Sequence, residues 1–123
     1  MTDTLEIGRK GEKLARRFLK KLGYRILARN YACPAGEIDV IALDGRTIAF
    51  VEVKTRRGDA LADPENAVNA HKRRQLTRVA QYWLSQRRAD DYGCRFDVVS
   101  VTMHERGRPV IRHTPDAFQF LRR

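Results

Sequence analysis

Apolar residues recur along this chain first with a helical period and then with a strand period. Between Asp3 and Leu22, the residues Ile7, Leu14, Phe18 and Leu22 fall on one face while Lys13, Arg16, Arg17, Lys20 and Lys21 cover the rest, which predicts an amphipathic helix. Asp3 supplies its cap, with Glu6 completing a capping-box-like pair. Each glycine inside a helix costs about 1 kcal/mol, so Gly8 and Gly11 predict a close approach of this helix to a sheet. Gly23 ends the helix, Tyr24–Tyr31 reads as a strand, and 32–36 reads as a loop. Two β-branched, apolar-rich runs then flank Asp44-Gly45, a dipeptide suited to a tight hairpin turn. Residues 55–63 show no period and read as a loop. Asp63-Pro64-Glu65 combines a cap with proline at the first helical position, opening a helix that runs to Arg88 with a break near Asn69–His71. Its buried stripe is Val68, Leu76, Val79, Ala80 and Trp83. A turn at Asp90, Asp91 and Gly93 leads to the alternating strand Arg95–Met103, then a short edge strand Val110–His113 and an aromatic-bearing segment from Pro115 to Phe120. The order α-β-β-β-α-β-β predicts a mixed α/β (α+β) fold, a central mixed sheet flanked by helices. At 123 residues there is room for one domain, residues 1–123.

The hairpin carries the chemistry. With Asp44-Gly45 as the loop, cross-strand partners have numbers summing to 89, so Asp39 lies opposite Phe50 and Glu37 opposite Glu52. Side chains alternate faces with period two, so Glu37, Asp39, Phe50, Glu52 and Lys54 share one face. The diagonal pair Asp39 and Glu52 then has Cβ atoms within roughly 8 Å. Carboxylates gathered at one end of an apolar hairpin repel each other, and a divalent cation with hard oxygen ligands, Mg²⁺ or Mn²⁺, resolves the conflict. Lys54 points to the same side and is placed to hold a water or phosphate oxygen beside such a metal. Glu12, beside the apolar stripe of the first helix, either pairs with Arg9, Lys13 or Arg16 at the surface or reaches the same pocket. Asp97, at a strand end, reads as a partner of Arg95 or of backbone.

Net charge changes the picture of what this pocket meets. The chain carries +10, with 25 basic against 15 acidic residues, and 19 of the basic residues are arginine. Such a balance attracts polyanions, and arginine's planar fork matches phosphate bidentately. Arg56 and Arg57 follow the acidic hairpin directly; Lys72, Arg74 and Arg78 lie on the second helix, whose flank His71, Arg74, Gln75, Arg78 and Tyr82 interleaves polar and aromatic groups. These are the candidate nucleic-acid contacts. No apolar run approaches the ~20 residues that span a bilayer, and no basic helix face carries exposed bulky apolar groups, so no membrane partner and a cytoplasmic location are expected. Cys33 and Cys94 lack metal-ligand spacing and read as free thiols.

Asp39 followed thirteen residues later by Glu52-Val53-Lys54 resembles the PD-(D/E)xK nuclease superfamily. The surrounding text, Gly8-Arg9-Lys10-Gly11-Glu12, Gly36-Glu37-Ile38-Asp39, Phe50-Val51-Glu52-Val53-Lys54 and Arg95-Phe96-Asp97-Val98-Val99, looks like the small bacterial YraN-like family, itself similar to Holliday-junction resolvases. The likeness runs from about Thr4 to Phe120. Ile38, not proline, precedes Asp39, and Gln75 is followed four residues on by Val79, so the Gln-xxx-Tyr helix motif of some relatives is absent. The resemblance implies a restriction-endonuclease-like core and a Mg²⁺- or Mn²⁺-dependent endonuclease acting on DNA, branched or recombination intermediates included. It implies catalytic roles for Asp39, Glu52, Lys54 and Glu12, with Asp39, Glu52, Glu12 and Glu37 as metal ligands or their supports. The same analogy allows a homodimer. Two other classes stay open: a nucleic-acid-binding module that keeps the fold without turnover, and an adaptor whose basic faces meet an acidic protein.

Overall fold

In a computed structural model, which describes residues 4–58, 69–89 and 91–118, the order is helix α1 (Thr4–Lys21), strands β1 (Arg25–Cys33), β2 (Gly36–Asp44) and β3 (Thr47–Arg57), helix α2 (Ala70–Arg87), and strands β4 (Gly93–Met103) and β5 (Val110–Phe118). The strands form one sheet in sequence order, β1-β2-β3-β4-β5. All neighbouring pairs are antiparallel except β3 and β4. A parallel pair needs a long crossover, and α2 lies within it. This is the mixed sheet flanked by two helices that the hydrophobic pattern predicts.

Alternation sorts the sheet's side chains into two cores. On one face Ile41, Ile48, Phe50, Phe96 and Val98 pack under Leu76, Val79, Ala80, Trp83 and Leu84 of α2. On the other, Val40, Ala42, Ala49, Val51, Val99 and Val101 meet Ala15 and Leu19 of α1. Trp83 is a core residue, edge-on to Phe50 at 6.0 Å. The helix stripe of α1 is rotated from the expected one: Gly11, Ala15 and Leu19 are buried, Leu14 and Phe18 flank them, and Leu22 is 52% exposed. Small side chains win that face because the helix sits close to the sheet. A β-carbon added at Gly11 would overlap the Thr55 side chain, whereas one at Gly8 would meet nothing, so only Gly11 marks the close approach.

The β2–β3 register is corrected by two. Asp44 pairs with Thr47 and Val40 with Val51, so partner numbers sum to 91, and the turn is Gly45-Arg46. Gly45 takes φ +61°, as the first central residue of a type II′ turn requires, while Asp44 stays in the ladder, where Arg95 holds its carboxylate at 3.0 Å. A change of two leaves the paired side chains on their faces, but beyond the ladder the alternation of β2 breaks at Asp39: Ile38 packs with Ile41 on the α2 face while Val40 lies on the α1 face. Strands are also longer than expected. β1 runs through Cys33 to a Pro34-Ala35 turn, β5 extends to Phe118, which stacks on Phe96 at 4.6 Å, and β3 extends to Arg57 because β4 pairs alongside it to Met103. Arg56 and Arg57 are therefore strand residues, not loop residues. α2 is capped at Asn69, where the break near Asn69–His71 is expected; the Asn69 side chain accepts from the Lys72 N–H at 2.9 Å. The expected start at Asp63-Pro64-Glu65, Val68, and the segment beyond Phe118 lie outside the described residues. Among the described residues no helix is long and apolar enough to cross a membrane.

Asp97 is fully buried on the α1 face. It accepts from Arg95 (2.9 Å) and from the Asp116 N–H (3.0 Å) and lies 2.8 Å from His113, tying β4 to β5. Burial alone would push its carboxyl up, but the hydrogen bonds from His113, Arg95 and the Asp116 N–H hold it below the usual range.

The Gly11 contact gives a direct test of how α1 is seated. Alanine gains about 1 kcal/mol of helix propensity over glycine, but overpacking against Thr55 costs about 1–3 kcal/mol. Gly11→Ala should lower the urea-unfolding midpoint, and adding Thr55→Ala should recover part of the loss. A rise in stability for the single variant would contradict this packing.

Candidate functional site

The acidic site forms where β2 and β3 part. Their ladder runs from Asp44↔Thr47 to Val40↔Val51, and one further step puts Asp39 level with Glu52. Instead of a strand pair, the Asp39 carboxylate takes up the backbone: its Oδ2 accepts from the Val53 N–H at 2.7 Å. A strand N–H that would otherwise lack its ladder partner is thus satisfied by a charged acceptor, which fixes the carboxylate in the gap between the strands.

Glu52 projects to the α2 face, two residues beyond Phe50, and is only 5% exposed. Lys54 Nζ lies 3.4 Å and Lys72 Nζ 3.8 Å from the same oxygen, Oε2. Burial pushes the Glu52 carboxyl up, the Asp39 charge pushes it further, and Lys54 and Lys72 pull it back; a hydrogen bond from protonated Glu52 to Asp39 adds to the rise. The outcome is about 7. Asp39 therefore stands close enough to Glu52 for its charge to act on that carboxyl.

Glu12 approaches from α1 on the other side of Asp39. Burial raises its carboxyl first and the Asp39 charge second; Arg16 and a hydrogen bond from Asn30 oppose, and Glu37 adds a last small push upward. Asp39 is thus the hub of two acid pairs, with Glu52 on one side and Glu12 on the other. Glu37 is exposed, registers with Ala32 near the β1–β2 turn, and does not stand opposite Glu52 as the shorter register has it.

The cations are distributed differently from expectation. Lys72, expected as a phosphate contact on the surface of the second helix, reaches Glu52 from the first turn of α2. Arg56 shares the β3 face of Glu52 and Lys54, half-buried, with a buried Nε that has no hydrogen-bond partner among the described residues. Arg57 is exposed at the end of β3, and Arg74 and Arg78 are exposed on α2 away from the acid pair. Two participants escape the sequence reading. Lys72 needed the docking of α2. Asn30 carried one signal, a residue type that tolerates left-handed backbone, and it sits at φ +50° beside Glu12.

Among the described residues, no three carboxylate, histidine or cysteine side chains converge as a ready-made cation cage. What converges is a pair. Asp39 and Glu52 offer hard oxygens at one point, which fits Mg²⁺, an ion that keeps several waters and takes one or two carboxylates together with substrate oxygens.

The profile of the uncharacterised protein family UPF0102 matches residues 11–101. UPF0102 proteins of Geotalea daltonii and Nocardia farcinica are 46% and 47% identical to this chain, in each case over 94% of it and 91% of the relative. That of Caldicellulosiruptor saccharolyticus is 50% identical over 80% of this chain and 84% of its own. Among solved structures, Pyrococcus furiosus SfsA in complex with Ca²⁺ aligns with a TM-score of 0.42 and 17% identity, covering 92% of this chain and 64% of that one; so loose a likeness carries no argument about the site. The matched span holds the Gly11-Glu12, Asp39 and Glu52-Val53-Lys54 positions, and the chain belongs to the UPF0102 (YraN) family.

Proposed function

We propose that this protein is a divalent-cation-dependent nuclease that hydrolyses phosphodiester bonds in DNA. The observation that carries the reading is the placing of Asp39, fixed by the Val53 N–H at the parting of β2 and β3, beside buried Glu52 and its neighbour Lys54. A binder of nucleic acid gains nothing from carboxylates beside phosphate, because they repel it. Asp39 and Glu52 are the residues that would hold Mg²⁺ or Mn²⁺, with Glu12 and Glu37 as outer acids. What the bound cation supplies is Lewis acidity, lowering the pKa of a water and offsetting charge on the scissile phosphate. The Val53 N–H keeps Asp39 oriented. Lys54, tethered 3.4 Å from Glu52, is a cation poised to orient a water or to offset phosphate charge. Arg56 and Arg57 continue β3 beyond Lys54 with positive charge, Arg74 and Arg78 add more along the exposed side of α2, and a chain of +10 is drawn to DNA at long range. Branched DNA is the substrate shape, and a homodimer the assembly, to which the resolvase likeness points.

One observation favours the runner-up, a binding module without turnover: Glu52 already has two lysine partners, so its charge is compensated within the protein. Cleavage separates the two. Purified protein is incubated with labelled linear duplex, single-stranded and four-way-junction DNA, and with RNA, in Mg²⁺, Mn²⁺ or EDTA. Wild type should cut DNA with metal only. Asp39→Asn, Glu52→Gln and Lys54→Ala should each lose about 100-fold or more in rate, the scale on which a transition-state-stabilising group matters. DNA binding in EDTA should hold or tighten for the two carboxylate variants and weaken for Lys54→Ala. Absence of cleavage on every substrate, with Asp39→Asn indistinguishable from wild type, would replace the nuclease with the binder.

The Glu52 proton gives a second test that needs no substrate. Its folded pKa, about 7, lies above the ordinary value of 4.5. The stability this group contributes is therefore full below pH 4.5 and lost as pH rises through 7. In EDTA, wild type should lose on the order of 2–3 kcal/mol from this group between pH 5 and pH 8. Glu52→Gln should flatten that dependence, and Mn²⁺ at pH 8 should restore stability to wild type but not to the variant. Parallel pH–stability curves for the two proteins would contradict the buried acid pair.

A further inference from the structure

A second charged feature lies on the α1 face, outside the acid pair. Residues 12, 16 and 20 are spaced by four, so Glu12, Arg16 and Lys20 stand in one row along α1. β1 runs back beside this row. Asn30 stands beside Glu12, next comes Arg29, and Arg25 lies at the far end near Lys20. Between helix and strand is an open cavity of about 640 Å³ lined by Arg16, Lys20, Tyr24, Arg25, Ile26 and Arg29. Its lining holds four cations and no acid. Arg16 acts on Glu12 one turn away, but the side chains of Lys20, Arg25 and Arg29 take part in no ion pair or hydrogen bond with a described residue, although the chain has 15 acidic residues.

Four like charges around one concavity repel each other, and a solvated surface would spread them. They are collected instead on two walls of a groove that starts at Glu12. From Glu12 to Lys20 is about 12 Å at 1.5 Å per helical residue. That is the rise of roughly three nucleotides along one strand. Three of the four are arginines, whose forks take phosphate oxygens in pairs. We infer that the groove between α1 and β1 binds the phosphate backbone of a nucleic-acid strand as it leaves the acid pocket. The inference rests on the nuclease reading for the direction of the strand, but binding in the groove does not require cleavage. An anionic membrane fits less well. The site is concave where a bilayer is flat, and the exposed leucines of this region, Leu5 and Leu22, stand singly at opposite ends of the α1 segment.

The test compares two triple variants of equal charge loss. One removes Lys20, Arg25 and Arg29 from the groove as glutamines. The other replaces Lys13, Arg17 and Lys21, on the outward face of α1, in the same way. Affinity for a 25-base-pair duplex and for a single strand is measured in EDTA from about 50 to 200 mM salt, conditions in which no cleavage occurs. The groove triple should lose roughly tenfold or more in affinity beyond the control triple, and its log–log salt slope for duplex should fall by about 2–3, near 0.9 per lost contact. Arg25→Lys/Arg29→Lys, which keeps the charge, should retain most of the slope, and thermal melts establish that each variant is folded. Equal losses in the two triples would overturn the groove as a site. So would loss of phosphatidylglycerol-vesicle binding with duplex and single-strand affinity unchanged. If the groove triple weakens binding while wild type fails to cut anything, the nuclease reading falls and the groove stands.

Discussion

The parting of β2 and β3 at Asp39 is the constraint on which the rest depends. An antiparallel ladder that continued would put Asp39 and Glu52 in an ordinary cross-strand pair, and opposed carboxylates destabilise a sheet. The ladder stops one step earlier. Asp39 turns its charge onto the Val53 N–H at 2.7 Å, which satisfies the backbone and opens the gap between the strands. Glu52 stays on the α2 face and Glu12 comes in from α1, so the one carboxylate in the gap feels acids from both sides of the sheet. The structure carries an unfavourable concentration of negative charge at a point that the backbone pins. Burial and repulsion are what leave Glu52 with a carboxyl raised to about 7.

The helices serve that point from opposite faces. α2 caps at Asn69 and delivers Lys72 to Glu52, while its stripe from Leu76 to Leu84 grips the Phe50 face of the sheet. α1 can bring Glu12 close only because Gly11 and Ala15 present almost nothing between helix and sheet. Positive charge then continues away from the acids along α1 and β1, and outward over α2. On the proposed reading, a polyanion would be attracted by these cations and meet the Asp39–Glu52 carboxylates where they end. That arrangement suits a site whose anionic centre works with a bound cation.

The faces of the sheet were legible in the sequence, and the register was not. Asp44-Gly45 announced a turn but not which of its two-residue frames is used, and Arg95, fifty-one residues away, helps keep Asp44 in the ladder. Because strand faces repeat every two residues, an error of two in register still placed Glu52 and Lys54 on the side of Phe50, whereas the break in alternation at Asp39 had no local signal. The α1 stripe failed for the opposite reason. Hydrophobic weight pointed to Ile7 and Leu22, whereas close packing selected Gly11, Ala15 and Leu19. The extension of β3 through Thr55, Arg56 and Arg57 depends on a parallel partner some forty-five residues on in the chain, beyond the reach of local patterning. Lys72 lay in view as a basic residue, but only tertiary docking shows that it faces an acid.

The central claim is that Asp39 and Glu52 together hold a divalent cation, and crystals of the protein soaked in Mn²⁺ test it most directly. Data collected near the manganese absorption edge should show one strong anomalous peak within coordinating distance of both carboxylates. That peak should vanish in Asp39→Asn crystals soaked in the same way. A wild-type map with no peak there, or with manganese bound only at other acids while Lys54 and Lys72 remain on Glu52, would contradict the account.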